Sequence, residues 1–120
     1  MTNQNTSASV NNPTDGVGVI AVGGQITGAS ESVLMDAYAA ATEGGAKTVV
    51  LDFAGLEYMN SSGIGLLVTI LIRTQRAKQR LLAAGLTDHY REIFQLTRLD
   101  EAIGIHPDVA SAVVAAGGIQ

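Results

Sequence analysis

The chain has 120 residues, of which 47% are hydrophobic and 15% charged, with 7 Lys and Arg against 11 Asp and Glu and a formal net charge of −4. That length suits one domain able to bury roughly two-thirds of its unfolded surface. The lack of cysteine excludes a disulfide framework, a thiolate nucleophile and a Cys-ligated zinc site, and the acidic balance argues against direct nucleic-acid binding. Residues 1–14 are polar and lack Lys, Arg and an apolar core, so they do not read as a signal peptide. The longest apolar stretch, Gly63 to Ile72, is half of what a bilayer span needs. A cytoplasmic protein without a membrane segment is expected.

Residues 1–15 read as a disordered tail ending in the turn signal Asp15-Gly16, and residues 16–120 as the folded domain. Val17, Val19, Ile20 and Val22 form a β-rich run, interrupted by Gly23-Gly24 and resumed at Gln25-Ile26. Ser30 then stands as N-cap before a helical series at Val33, Leu34, Ala37, Tyr38 and Ala41, stopped by Gly44-Gly45. Thr48 to Phe53 is a short β-branched run of the kind buried on both faces of a parallel sheet. A loop is expected over Ala54 to Asn60. Ile64, Leu67, Val68, Leu71 and Ile72 then repeat at i, i+3, i+4, i+7 and i+8, the strongest helical series in the chain. Arg73, Arg76 and Lys78 follow near the C-terminal end, where cations complement the helix dipole.

Leu81 to Ala84 reads as a further strand, and Thr87 caps a helix through Tyr90, Ile93, Phe94 and Leu96. Ala102 to Ile105 is expected as an edge strand, and Asp108 opens a last helix to Ala116. The alternation implies an α/β fold, a small mixed but mainly parallel sheet with crossover helices.

Few motifs carry chemistry. Gly16-Val17-Gly18-Val19-Ile20-Ala21 has the letters of a dinucleotide fingerprint, but it leads into a strand rather than out of one. His89 and His106 lack a helical partner histidine, and no Gly-x-Ser-x-Gly elbow is present. The basic group Arg73, Arg76, Lys78 and Arg80 reads as dipole complementation on a wet surface.

The informative segment is Tyr58-Met59-Asn60-Ser61-Ser62-Gly63-Ile64-Gly65-Leu66-Leu67. Two serines sit where a loop enters a helix, and a serine N-cap is worth on the order of 1 kcal/mol. Capping leaves Gly63 and Gly65 unexplained, because each glycine in a helix costs roughly 0.5–1 kcal/mol relative to alanine. Glycine there admits another backbone or a phosphate close to the helix N-terminus, where partial positive charge tolerates an anion.

From about Val17 to Ala116 the chain resembles the STAS-domain anti-sigma factor antagonists, or anti-anti-sigma factors. Val49 to Phe53, Leu56 and Met59 to Leu67 are similar to that family's strand and its Asp-Ser-Ser-Gly-(Leu/Ile)-Gly helix start. Gly24-Gln25-Ile26 resembles its Gly-Glu-Leu-Asp turn, and Leu82 to Leu99 its late apolar helix. The resemblance implies a STAS fold and no cofactor. It implies a binding module rather than an enzyme, phosphorylated at Ser61 by an anti-sigma factor that is also a serine kinase, and reset by a serine phosphatase. Unphosphorylated, the protein would hold the anti-sigma factor and release a sigma factor for transcription. Thr27, Asn60, Ser62, Gly63, Ile64 and Gly65 are the expected partner contacts. The chain departs from the family pattern at Asn60 and Thr27, where the family is acidic, at Gln25 for its Glu, and at Arg98, where the family has glycine. Two alternatives remain open: a STAS scaffold or sensory module in which Ser61 only caps the helix, and a small-ligand binder using the same helix start.

Overall fold

The computed structural model describes residues 6–117. Its elements are β1 (Thr6–Thr14), β2 (Val17–Ile26), a 3-10 turn (Gly28–Ser30), α1 (Glu31–Thr42), β3 (Thr48–Met59), α2 (Ser61–Arg76), β4 (Arg80–Ala84), α3 (Asp88–Leu96), a second 3-10 turn (Leu99–Glu101), β5 (Gly104–His106) and α4 (Val109–Ala115). They build one five-stranded sheet in the order β1-β2-β3-β4-β5. β1 is antiparallel to β2, and the other neighbours are parallel. The mainly parallel α/β architecture is therefore as expected.

Each parallel step advances one strand in the same direction, so crossovers of one hand stack their helices on one face. The main core accordingly joins α1, α2 and α3 to one side of the sheet through Leu34, Leu67, Ile70, Phe94 and the inward residues Ile20, Leu51 and Phe53. Phe53 and Phe94 meet edge to face with ring centres 6.3 Å apart. α4 covers part of the other side, where Ala112 packs with Val17, Val19, Val50, Leu82 and Ala84. β3 is thus buried on both faces over Thr48 to Leu51, which explains its unbroken β-branched run. At the start of α4, hydrogen bonds from Ser111 hold the Asp108 carboxyl below the usual carboxylate range. The folded-state value is depressed, so this cap is present at neutral pH and is lost as pH falls through the lowered value.

Three expectations need correction. The tail expected over residues 1–15 is not a tail over Thr6–Thr14, which pairs with β2 as Thr6↔Gly24 through Val10↔Ile20; residues 1–5 lie outside the described residues. Asp15-Gly16 is the two-residue turn of this hairpin, with Gly16 at φ +82°. The loop expected over Ala54 to Asn60 is strand as far as Met59, pairing Gly23↔Gly55 and Ile26↔Met59 across irregular register. Ser30 stands at the α1 cap position without capping it. Its Oγ accepts the Thr27 N–H at 2.9 Å, and Thr27 Oγ1 accepts the Ala29 N–H at 3.2 Å. Ser30 therefore closes a capping box on the preceding turn. Among the described residues, no helix is long and apolar enough to cross a membrane.

Arg98 takes φ +63°. A side chain in this left-handed region costs about 1 kcal/mol or more, whereas glycine enters it freely. Its ion pair with Glu101 is 3.8 Å long and exposed, so it offsets little. Arg98→Gly is expected to raise unfolding free energy by about 0.5–1 kcal/mol in urea titration; a loss of stability would contradict this backbone reading.

Candidate functional site

The start of α2 is built against the end of β2. Asn60 N–H donates to the Ile26 carbonyl at 3.2 Å, continuing the β2–β3 pairing by one residue. At the neighbouring strand end, Met59 N–H donates to the Tyr90 hydroxyl at 2.8 Å, which anchors β3 to α3 inside the core. Asn60, and not either serine, is the N-cap: its Oδ1 accepts the Gly63 N–H at 2.9 Å. Ser61 and Ser62 are the first two helical residues, and both are exposed. Their N–H groups belong to the first turn, which has no intrahelical acceptors. With Asn60 as cap and no acidic residue in the first turn, the positive helix end is uncompensated by side-chain charge.

The two glycines have different reasons. Gly63 is buried, and a Cβ there would strike the Ile26 carbonyl, with its carbon 2.9 Å away. Glycine is what lets the helix sit on that strand end. Gly65 is exposed and a Cβ would meet nothing within 4 Å, so no packing in this chain calls for it. The Thr27 turn lies alongside: a Cβ on Gly28 would be 3.4 Å from the Ser62 Cβ. The fold therefore brings Thr27, Asn60, Ser61, Ser62, Gly63, Ile64 and Gly65 to one end of the sheet. Gly63 faces inward and Ile64 is half-buried, so the accessible members are chiefly Ser61, Ser62 and Gly65.

The neighbouring surface of α2 carries part of its apolar repeat. Val68 and Ile72 belong to the helical apolar repeat of the sequence, yet they are 37% and 43% exposed. The buried face of α2 is instead Gly63, Leu66, Leu67, Ile70, Leu71 and Thr74. Ser61, Gly65, Val68 and Ile72 fall at i, i+4, i+7 and i+11, a single stripe pointing away from the core. Arg76 continues it on the exposed side, and Tyr58, 49% exposed, stands just before the cap. Two neighbouring aliphatic side chains are thus partly exposed on the solvent side of α2.

Two clefts, of about 250 and 390 Å³, lie elsewhere. The first is lined by Leu71, Thr74, Gln79 and Arg80 among others, the second by Arg91, Ile105, His106 and Pro107. Neither touches the Thr27 turn or residues 60–65. Among the described residues, no group of three or more His, Asp or Glu is placed to hold a metal ion.

A family model described as Mlab, STAS domain matches residues 11–107. The chain belongs to the STAS-domain family. This STAS chain is 26% identical over 83 residues to BtrV of Bordetella bronchiseptica, a protein named as a candidate anti-sigma factor antagonist, covering 69% of this chain and 72% of that protein. In structure it is similar to an anti-sigma factor antagonist from Mycobacterium paratuberculosis, with TM-score 0.80, 22% identity and 97% of each chain covered. It is also similar to the anti-sigma factor antagonist SpoIIAA in its unphosphorylated form, with TM-score 0.73, 19% identity and 94% and 100% covered. The phosphorylated form of the Bacillus SpoIIAA gives TM-score 0.71 at 19% identity, covering 91% of this chain and 98% of that one. At these identities the structural likeness shows the STAS fold.

The glycines separate experimentally. Gly63→Ala is expected to destabilise by about 1–3 kcal/mol, because the methyl meets backbone that cannot yield. Gly65→Ala is expected to stabilise by about 0.5–1 kcal/mol. Thermal or urea unfolding of the two variants checks both, and a destabilising Gly65→Ala would remove the argument that Gly65 is kept for something outside the chain.

Proposed function

We propose that this STAS protein is an anti-sigma factor antagonist, a binding module and not an enzyme, whose docking surface is the exposed stripe of α2 and whose switch is Ser61. The observation that carries this reading is the stripe itself. A hydroxyl, a bare glycine, two exposed aliphatic side chains and a cation lie in line on the solvent face of one helix. Relatives named as anti-sigma factor antagonists support the anti-sigma factor as partner. The existence of a phosphorylated form of SpoIIAA, which has the same fold, supports phosphorylation as the switch.

The chemistry is simple. An ATP-dependent serine kinase, the anti-sigma factor itself, transfers the terminal phosphoryl group of ATP to the Ser61 Oγ. A serine phosphatase hydrolyses it again. Sigma-factor release, and so transcription, follows from the unphosphorylated form, in the cytoplasm. The helix N-terminus tolerates the phosphate within the protein, since the first-turn N–H groups and dipole favour an anion. A partner surface fitted to a small neutral hydroxyl does not tolerate it: phosphate adds about −1.5 to −2 charges and needs solvation. Asn60 as cap keeps the carboxylate of the family pattern away from Ser61, so the unmodified site is neutral.

Incubation with the cognate kinase and ATP is expected to add one phosphate by intact-mass measurement, and Ser61→Ala to abolish it. Undiminished uptake by that variant would overturn the site assignment. Val68→Ser with Ile72→Ser is expected to leave stability within about 0.5 kcal/mol, as exposed positions do. The same pair should weaken anti-sigma binding by about tenfold or more, a loss of about 1.4 kcal/mol. Unchanged affinity would remove the stripe from the interface.

A further inference from the structure

The first fourteen residues contain no charged side chain in a chain that is otherwise net acidic. Nine of them form β1, an outer strand of the sheet. Its inner side pairs with β2, and its Thr6, Ala8 and Val10 are half-buried, the latter two packed on the main core. Ser7, Ser9 and Asn11 are exposed on the opposite face. Among the described residues no strand pairs with its outer side. The usual protections of an open edge are inward or flanking charges, a central proline, or a very short strand. β1 lacks the charges, and Pro13 stands beyond the regularly paired stretch, which runs from Thr6 to Asn11. The other edge, β5, is protected by its length of three residues.

We propose that β1 is a self-association edge, pairing antiparallel with β1 of a second copy about a two-fold axis at Ala8. The strand is complementary to itself in that register. Thr6 stands opposite the partner's Val10, Ala8 opposite the partner's Ala8, and Ser7 opposite the partner's Ser9. One face thus pairs β-branched and small apolar side chains, and the other pairs hydroxyls, both favourable cross-strand combinations. Each copy carries a formal charge of −4, and this neutral edge is where two copies approach without opposing charges on the joining strands. An isologous contact of this kind closes at two copies. Five paired residues from each copy make a small interface, so association in the micromolar to millimolar range is expected. The edge is separate from the α2 stripe, and the proposal does not rest on the reading of Ser61.

Sedimentation of the full chain from about 1 μM to about 1 mM should show a monomer–dimer equilibrium. Over the same range, backbone amide exchange within β1 should slow as concentration rises. Ser7→Lys with Ser9→Lys, on the exposed face, should shift the dimer constant by at least about tenfold toward monomer. The unfolding midpoint of that variant under dilute conditions shows that it folds. A monomer at every concentration overturns the proposal. So does a dimer whose β1 exchange is independent of concentration, or one that the two lysines leave unchanged; the exchange measurement stands on the unmodified chain even if the variant fails to fold.

Discussion

The site depends on one close approach, that of the first turn of α2 to the last carbonyl of β2. Ile26 O accepts the Asn60 N–H, and the Cα of Gly63 lies where any side chain would collide with the same peptide unit. That contact fixes the height of the helix on the sheet. It also sets the Thr27 turn, which leaves β2 at Ile26, against Ser62. The other elements reinforce it: Tyr90 holds the end of β3 by its hydroxyl, and Leu67, Ile70 and Leu71 press the helix onto the core. Ser61 and Gly65 are left facing solvent because the opposite side of the helix is wholly committed.

In the proposed function this arrangement serves as a switch. The helix end carries free N–H groups and partial positive charge, capped by a neutral side chain. An anion placed there is tolerated by the fold, while a partner seated along Val68 and Ile72, as proposed, would meet it directly. The two clefts described above lie away from this point.

Much of this was legible in the chain because apolar content and secondary structure agree along it. Strands β2, β4 and the first half of β3 are β-branched or apolar runs, and the helices have clear caps at Thr87 and Asp108. The serine–glycine segment was recognisable because two glycines violate helix propensity. What was missed has physical causes. β1 contains only Ala8 and Val10 as apolar inward residues, and its order comes from pairing with β2 rather than from its own pattern. The second half of β3 carries Gly55 and irregular register, which hides its alternation. Val68 and Ile72 follow the helical apolar rhythm, but a helix lying on a sheet buries only one arc, and theirs is the other. The serine pair looked like caps because serine usually caps, while Asn60, one position earlier, has the extended backbone a cap requires.

The most direct measurement is calorimetric titration of the cognate anti-sigma factor into two preparations of this protein, one unmodified and one stoichiometrically phosphorylated at Ser61. Binding to the unmodified form, weakened by at least about tenfold on phosphorylation, is the expected result. Equal affinity of the two forms would contradict the switch.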